Sequence, residues 1–155
     1  MASARLCYPC APHAAGPATP MDPKQAPWRP LATAELDWEP GGAPRSRRYG
    51  DIYFSPEDGP AESRHVFLAG NGLPARWRQH DAPVFRIGEL GFGTGLNFLV
   101  TLAALQREVP AGPRLHYWAV EAEPLRAEDL ARCARALPPF LAAPAAALAA
   151  RYPPP

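Results

Sequence analysis

An acidic residue followed by three regularly spaced glycines is the part of this sequence best suited to chemistry. The stretch is Glu89-Leu90-Gly91-Phe92-Gly93-Thr94-Gly95. Glycine has no Cβ, so a turn built from it brings the backbone close to a ligand. When a helix follows such a turn, its free N–H groups favour a carboxylate or another anion. The stretch therefore predicts a cofactor-binding turn, with a tight structural turn as the alternative.

The order of the glycines separates two classes of cofactor. The dinucleotide fingerprint G-x-G-x-x-G requires a glycine at its sixth position, and counted from Gly91 that position is Leu96. The arrangement E-x-G-x-G-x-G instead resembles class I S-adenosylmethionine-dependent methyltransferases. This resemblance implies S-adenosylmethionine as the cofactor and a Rossmann-like α/β fold.

A second acidic residue is predicted to lie at the same ligand-binding site as the glycine turn. Residues 115–120 form an apolar run typical of a buried strand, and Glu121 follows at its carboxyl end. In open α/β sheets, ligands bind outside the carboxyl ends of the strands. A carboxylate there can accept hydrogen bonds from both ribose hydroxyls, with Glu123 as the second candidate. The alternative is that Glu121 caps a following helix whose first turn contains Pro124.

Two regular elements must position the glycine turn. Residues 84–87 predict a buried strand before it, and residues 96–105 carry apolar side chains at helical spacing after it. The remaining elements follow from turn residues and apolar spacing. In chain order they are a β-hairpin with strands at 34–38 and 49–54 around a turn at 40–44, short helices at 61–69 and 73–79, an amphipathic helix through Leu130, Cys133 and Leu137, and an alanine-rich helix at 140–152.

Composition limits the class of protein. The 155 residues fit one domain, and the net charge of +1 creates no global field for nucleic acid or anionic membranes. No apolar run approaches the roughly 18 residues of a membrane span. The N-terminus has no signal-peptide pattern, so we expect a cytoplasmic protein without a membrane partner.

The first 33 residues are rich in alanine and proline, and we expect them to form a disordered tail. Met21 within this tail is a second possible translation start. Cys7 and Cys10 form a C-x-x-C pair, but a structural zinc site needs four ligands. We therefore predict neither a metal nor a redox role for this pair, and we predict that Cys133 is a core residue.

Several further motifs closely resemble one family, in order and at similar spacing over residues 34–155. They are Leu36-Asp37-Trp38, Asp51-Ile52-Tyr53-Phe54-Ser55, Arg64-His65-Val66-Phe67-Leu68-Ala69-Gly70-Asn71, Glu89 through Asn97-Phe98-Leu99, and Val120-Glu121. The family is the methyltransferase domain of the bacterial bifunctional tRNA 5-methylaminomethyl-2-thiouridine biosynthesis protein, MnmC. The resemblance implies methyl transfer from S-adenosylmethionine to the amine of 5-aminomethyl-2-thiouridine at the tRNA wobble position.

The resemblance also implies roles for individual residues. The amino acid end of the cofactor is expected against Glu89, Gly91, Gly93, Gly95, Leu96 and Asn97, and the ribose against Glu121. Asn71 is expected to close over the cofactor, or to be an ordinary turn residue. Asp51 and Tyr53 are expected to line the uridine entrance, where an aromatic ring can stack on a base, with hairpin packing as the alternative for Tyr53.

A tRNA substrate also requires positive charge. Two basic clusters are candidates for phosphate contact, namely Arg45, Arg47 and Arg48 on the hairpin, and Arg76, Arg78 and His80 around Trp77. The alternative is a solvated basic loop. His65 and His116 are expected to be packed or hydrogen-bonded rather than catalytic.

We expect residues 34–155 to be an incomplete methyltransferase domain, with the hairpin and short helices in 34–82 and the first β/α units in 83–155. Two parallel strands leave sheet faces and edges uncovered. The family's catalytic aspartate is expected beyond residue 155, in an Asp-Gly-Phe-Ala-Pro segment, and its FAD-dependent oxidase domain is absent here. The chain alone is thus expected to be inactive. The alternatives are a non-catalytic remnant that binds S-adenosylmethionine or tRNA, and a small-molecule methyltransferase or nucleotide-binding protein.

Overall fold

The computed structural model describes residues 31–153. Most of the expected N-terminal tail, with Cys7, Cys10 and Met21, lies outside these residues. The described chain contains four strands and five α-helices, with one π-helix between the first two helices. In order they are β1 Leu36–Trp38, β2 Pro44–Ser46, α1 Gly59–Ser63, the π-helix Arg64–Ala69, α2 Leu73–Arg78, β3 Val84–Leu90, α3 Leu96–Glu108, β4 Arg114–Val120, α4 Ala127–Ala136 and α5 Pro139–Ala149.

The centre of the fold is the predicted strand, glycine turn, helix and strand. β3 and β4 pair in parallel, in a register that runs from Val84 opposite Arg114 to Leu90 opposite Val120. α3 connects them, as a parallel pair requires a crossover. β3 is longer than predicted, so Glu89 lies within the strand rather than in the turn. The result is a mixed α/β fold with a small parallel sheet.

The main core lies on the face of the sheet that α3 covers. Leu99 and Val100 of α3 are buried together with Trp77 of α2, Phe85 of β3 and Leu141 of α5. The predicted apolar stripe of α3 is only partly confirmed. Leu99 and Leu105 are buried, but Phe98 and Leu102 are only partly buried, and the buried face of the helix runs through Leu96, Val100 and Ala104 instead. The indole N–H of Trp77 has no hydrogen-bond partner there.

A smaller core joins the hairpin to α4. Cys133 of α4 is 2% exposed and packs with Leu125 and Ala34, and Leu36, Trp38 and Tyr53 lie against this cluster. The prediction that Cys133 is a core residue is therefore confirmed. α4 and α5 also match the two predicted C-terminal helices, with the boundary between them at Leu137 and Pro138.

The hairpin differs from its prediction in the second strand. β1 pairs with Pro44–Ser46, with Trp38 opposite Pro44, and not with residues 49–54. Gly41 and Gly42 both have positive φ, +91° and +88°, and this tight turn brings the chain back earlier than the sequence pattern suggested. Residues 49–54 form a loop in which Ile52 makes an isolated bridge to Arg45. The predicted return strand at 49–54 was therefore wrong.

The other face of the parallel sheet is exposed in the described chain. Leu90, Trp118 and Val120 are 86%, 52% and 53% exposed. Trp118 lies across Gly88, where a Cβ would come within 2.2 Å of the indole ring. Among residues 31–153, no helix combines the length and the apolar character needed to cross a lipid bilayer.

Candidate functional site

A crevice of about 560 Å³ opens at the carboxyl ends of β3 and β4. The glycine turn forms one wall, and the π-helix and residues 51–54 form the others. Its volume lies in the usual range for a small-molecule site, and its position is the one expected for ligands of an open α/β sheet. The predicted residues that line it are Asp51, Tyr53, Glu89, Gly91, Gly93, Leu96, Asn97 and Glu121.

The glycine turn has a backbone conformation that side chains with a Cβ rarely adopt. Gly91, Gly93 and Gly95 have φ values of +86°, +53° and +72°. The N–H of Gly91 donates to the carbonyl of Val120 at 2.9 Å, so the start of the turn is fixed to the end of β4. α3 begins directly after Gly95 and has no side-chain N-cap. Its first N–H groups therefore have no intrahelical acceptor, and because Leu96 and Asn97 line the crevice, an anionic group there can accept from them.

Glu89 lines the crevice, and its side chain is buried, with 6% of the residue exposed. Its Oε1 accepts a hydrogen bond from Asn97 Nδ2 at 2.8 Å, and its Oε2 accepts one from the Tyr117 hydroxyl at 2.7 Å. A buried carboxylate is stable only where donors replace water in this way. Burial raises the pKa of Tyr117, and the hydrogen bond to Glu89 and its charge raise it further, so the hydroxyl keeps its proton.

Glu121 contacts the glycine turn directly. Its Oε2 accepts from the N–H of Gly93 at 2.8 Å, and its Oε1 accepts from the N–H of Glu123 at 3.0 Å. Glu121 lines the crevice, whereas Glu123 does not and forms an ion pair with Arg48. The structure thus places Glu121, and not the second candidate, at the end of β4 facing the turn.

The alternative reading of Glu121 as a helix cap does not match the structure. α4 begins at Ala127 with Arg126 as its N-cap, so Glu121 lies well before the helix. Pro124 likewise lies before the first turn of α4, and its carbonyl accepts from the N–H of Ala34. The carboxylate of Glu121 is therefore free of a capping role.

The segment before the sheet closes the crevice from the side. Tyr53 packs so close to the turn that a Cβ on Gly93 would lie 3.0 Å from its ring. Burial raises the pKa of Tyr53, and the charges of Glu121 and Glu123 raise it further. Asp51 lines the same opening. The structure therefore brings both predicted entrance residues to the crevice.

Asn71 lies apart from the other predicted residues. Its side-chain amide donates to the carbonyl of Phe67 at 2.7 Å, and it is not among the residues that line the crevice. This arrangement corresponds to the ordinary turn residue that was the alternative. The residues before Asn71 that do line the crevice are Glu62, Ser63, Val66 and Phe67.

Two polar residues of the site were missed from the sequence. Ser63 donates to Asn97 Oδ1 at 2.7 Å, and Tyr117 donates to Glu89. Strand alternation carries a signal for Tyr117, because a parallel partner strand would place it on the same face as Glu89. Nothing in the sequence marks Ser63, which contacts the site from 34 residues away.

The hairpin arginines are each paired with an acid. Arg45 pairs with Glu39, Arg47 with Asp37, and Arg48 with Glu123. The arginine side chains are 39%, 57% and 68% exposed, but Glu39 and Glu123 are only 31% and 12% exposed, so water and salt screen the Arg47–Asp37 pair most fully. None of the three arginines lines the crevice, and each has an acidic partner, so they do not form an unpaired basic patch.

The side chains of the second basic cluster also have local partners. Arg78 pairs with Glu108, Arg76 lies over the ring of Phe85, and a His80 ring nitrogen lies 3.0 Å from the carbonyl of Val84. His65 and His116 are exposed and do not line the crevice. Within residues 31–153, no group of three histidine, cysteine or acidic side chains is placed to hold a metal ion.

These observations define a class of protein: a mixed α/β chain with a glycine-rich turn and two carboxylates at the carboxyl ends of parallel strands. Sequence relatives make the assignment specific. The chain is 50% identical over 111 residues to the tRNA 5-methylaminomethyl-2-thiouridine biosynthesis bifunctional protein MnmC of Aeromonas hydrophila, and 51% identical over 120 residues to that of Pseudomonas aeruginosa. The chain belongs to the MnmC family, as its motifs predicted.

The match covers most of this chain but little of its relatives. It spans 70% and 77% of this chain, and only 17% and 18% of the two relatives. The crystal structure of MnmC2 from Aquifex aeolicus matches 79% of this chain and 38% of its own, with a TM-score of 0.57 and 23% sequence identity. That similarity supports the fold. No family model matches the chain.

Proposed function

We propose that this chain forms the S-adenosylmethionine-binding part of a tRNA methyltransferase domain, with a partial Rossmann-like class I fold. The observation that carries the proposal is the crevice at the ends of β3 and β4, where the glycine turn lies between the carboxylates of Glu89 and Glu121. The MnmC relatives are named for tRNA modification, which supports tRNA as the substrate.

The residues of the crevice fit the parts of this cofactor. The glycine turn leaves space where any Cβ would intrude, since at Gly93 it would contact Tyr53. The free N–H groups at the start of α3 suit the carboxylate of the cofactor. We propose that Glu121 exchanges its hydrogen bond from Gly93 for bonds from the two ribose hydroxyls. Glu89 and Asn97 hold the amino acid end.

When bound, the cofactor supplies a methyl group on a sulfonium, which a neutral amine can attack in line. The family function would deliver this methyl to the primary amine of 5-aminomethyl-2-thiouridine at the wobble position. In this chain Asp51 and Tyr53 line the entrance, and the half-buried ring of Tyr53 can stack on the extruded base. Their role is to orient the base, since alignment of the two reacting groups lowers the barrier.

We infer that the group that accepts the amine proton lies outside this sequence. The family resemblance assigns it to an aspartate in an Asp-Gly-Phe-Ala-Pro segment, and the 155 residues contain no such segment. An FAD-dependent oxidase domain would be the family's further partner, either fused or separate. The second candidate function is a module that binds S-adenosylmethionine or tRNA without catalysis.

Isothermal titration of the chain with S-adenosylmethionine tests the cofactor proposal. Glu121→Gln should weaken binding by roughly tenfold, because a charged acceptor for the ribose hydroxyls is lost. Glu123→Gln is the matched control, since Glu123 is paired with Arg48 and does not line the crevice. Absence of binding to the unmodified chain, or equal loss in both variants, would refute the proposal.

A methyl-transfer assay separates the two candidate functions. The substrate is tRNA that carries 5-aminomethyl-2-thiouridine, with labelled S-adenosylmethionine as the donor. We expect no turnover from this chain alone, even where it binds the cofactor. Turnover above background would show that the chain supplies its own proton acceptor and is an active enzyme.

A further inference from the structure

A chain of side-chain hydrogen bonds runs along the wall of the crevice and joins four elements. Ser63 at the end of α1 donates from Oγ to Asn97 Oδ1 at 2.7 Å. Asn97 in the first turn of α3 donates from Nδ2 to Glu89 Oε1 at 2.8 Å. The hydroxyl of Tyr117 on β4 donates to Glu89 Oε2 at 2.7 Å. Glu89 on β3 is therefore held from both sides.

The register of the sheet explains why Tyr117 can reach Glu89. Tyr117 lies opposite Ile87 and Ala119 lies opposite Glu89, so Tyr117 and Glu89 are diagonal neighbours on one face of the sheet. The ring of Phe98 packs edge-on against Tyr117 at a centroid distance of 5.1 Å. This contact fixes the tyrosine ring, so the direction of its hydroxyl is set by packing.

The other end of the network is equally constrained. Ser63 is 7% exposed, and its hydroxyl has the side-chain oxygen of Asn97 as partner. The hydroxyl of Thr101 donates to the backbone carbonyl of Asn97 at 2.6 Å. Because Asn97 accepts from Ser63 with its oxygen, its amide nitrogen must face Glu89.

We infer that Ser63 and Tyr117 are positioning residues that act through Asn97 and Glu89, and hold the Glu89 carboxylate in place at the crevice wall for the cofactor. This inference rests on the proposed function of the crevice. Glu89, Asn97 and Ser63 line the crevice, whereas Tyr117 and Phe98 do not. A hydroxyl outside the crevice thus controls the orientation of a carboxylate inside it.

The test uses the 155-residue chain and variants that remove single hydroxyls. Tyr117→Phe keeps the ring and its contact with Phe98, and Ser63→Ala removes the other end of the network. Tyr49→Phe is the matched control, because Tyr49 is 65% exposed. Affinity for S-adenosylmethionine is measured by isothermal titration in each variant. We expect roughly tenfold weaker binding in Tyr117→Phe, a smaller loss in Ser63→Ala, and no change in Tyr49→Phe.

A double-mutant cycle separates positioning from general destabilisation. If Tyr117 acts through Glu89, then removing its hydroxyl from a Glu89→Gln chain should weaken binding by less than about threefold. An equal tenfold loss in both backgrounds would show that the two residues act independently and would overturn the inference. Unchanged affinity in Tyr117→Phe would overturn it as well.

Failure of the proposed function gives a different result, since the unmodified chain would then bind no cofactor. In that case hydrogen–deuterium exchange of the free protein decides the inference. Faster amide exchange over residues 88–98 in Tyr117→Phe than in Tyr49→Phe supports the positioning role. Equal exchange in the two variants contradicts it.

Discussion

The crevice and the hairpin both hold several charged side chains, but they balance that charge in opposite ways. In the crevice, the carboxylates of Glu89 and Glu121 accept hydrogen bonds from neutral donors, namely side chains and backbone N–H groups. On the hairpin, each of the three arginines is paired with a carboxylate. The first arrangement preserves negative charge at the site, and the second removes positive charge from the surface.

Burial explains what this difference does. Glu89 is 6% exposed, so its partners cannot be replaced by water without an energetic cost. Arg47 and Arg48 are more than half exposed, and water or a phosphate can replace their partners easily. The crevice is therefore a fixed structure, whereas the hairpin surface can exchange its partners. The predictions below test that contrast.

The largest effect is expected at Glu89. Glu89→Ala leaves the buried donors of Asn97 and Tyr117 without an acceptor, and we expect a loss of about 3 kcal/mol in the free energy of unfolding. Urea denaturation followed by circular dichroism measures it. Asp37→Ala, which removes an exposed acid from the hairpin, is the control and should leave the urea midpoint almost unchanged. Equal losses would show that burial does not distinguish the two regions.

Two glycines with nearly the same backbone angle allow a second comparison. Gly95 has φ +72° in the crevice turn, and Gly50 has φ +68° in the hairpin loop. A Cβ at Gly95 would lie 2.8 Å from Leu148 and from Phe92, whereas a Cβ at Gly50 meets no atom within 4 Å. Gly50→Ala should cost about 1 kcal/mol from backbone strain alone, and Gly95→Ala about 2 kcal/mol. Equal unfolding free energies in the two variants would contradict a packing contribution at Gly95.

The same contrast explains which parts of the molecule could be predicted. β3, α3 and β4 follow from local apolar spacing, and their carboxyl ends fix the position of the crevice whatever the distant contacts are. The second hairpin strand could not be placed from the sequence. The turn at Gly41 and Gly42 allows pairing with Pro44–Ser46, but the apolar pattern of residues 49–54 is equally typical of a strand.

Contacts between residues that are far apart in the chain could not be predicted from the sequence. Arg48 pairs with Glu123 across 75 residues, and Ser63 contacts Asn97 across 34. No periodicity relates such positions, since each pair depends on how separate elements pack. The glycine turn therefore pointed to Glu89 and Asn97 in advance, while Ser63, which donates to Asn97 from another element, could not be predicted.

The buried thiol of Cys133 allows the effect of burial to be tested through the pH dependence of stability. Burial raises the pKa of the Cys133 thiol from 9.0 to about 12, so the folded state favours the protonated form. The resulting stabilisation is complete below pH 9 and is lost as the pH rises towards 12. Between pH 9 and pH 10 we expect the unmodified chain to lose about 1 kcal/mol more than Cys133→Ala, measured by urea denaturation. Parallel pH profiles for the two chains would contradict this expectation.

The smallest effect on stability is expected at Arg48. Its side chain is 68% exposed, so Arg48→Gln should produce no resolvable change in melting temperature at physiological salt. Its effect should appear instead in the affinity for tRNA, if Arg48 leaves Glu123 to contact a phosphate. Arg48→Gln should then reduce the slope of log affinity against log salt concentration by about one. Arg107→Gln is the matched control, because Arg107 is 67% exposed and paired with Glu108 at the far end of α3. A lower melting temperature in Arg48→Gln would show that the Arg48–Glu123 pair stabilises the fold. Equal salt slopes in the two variants would show that Arg48 does not contact tRNA.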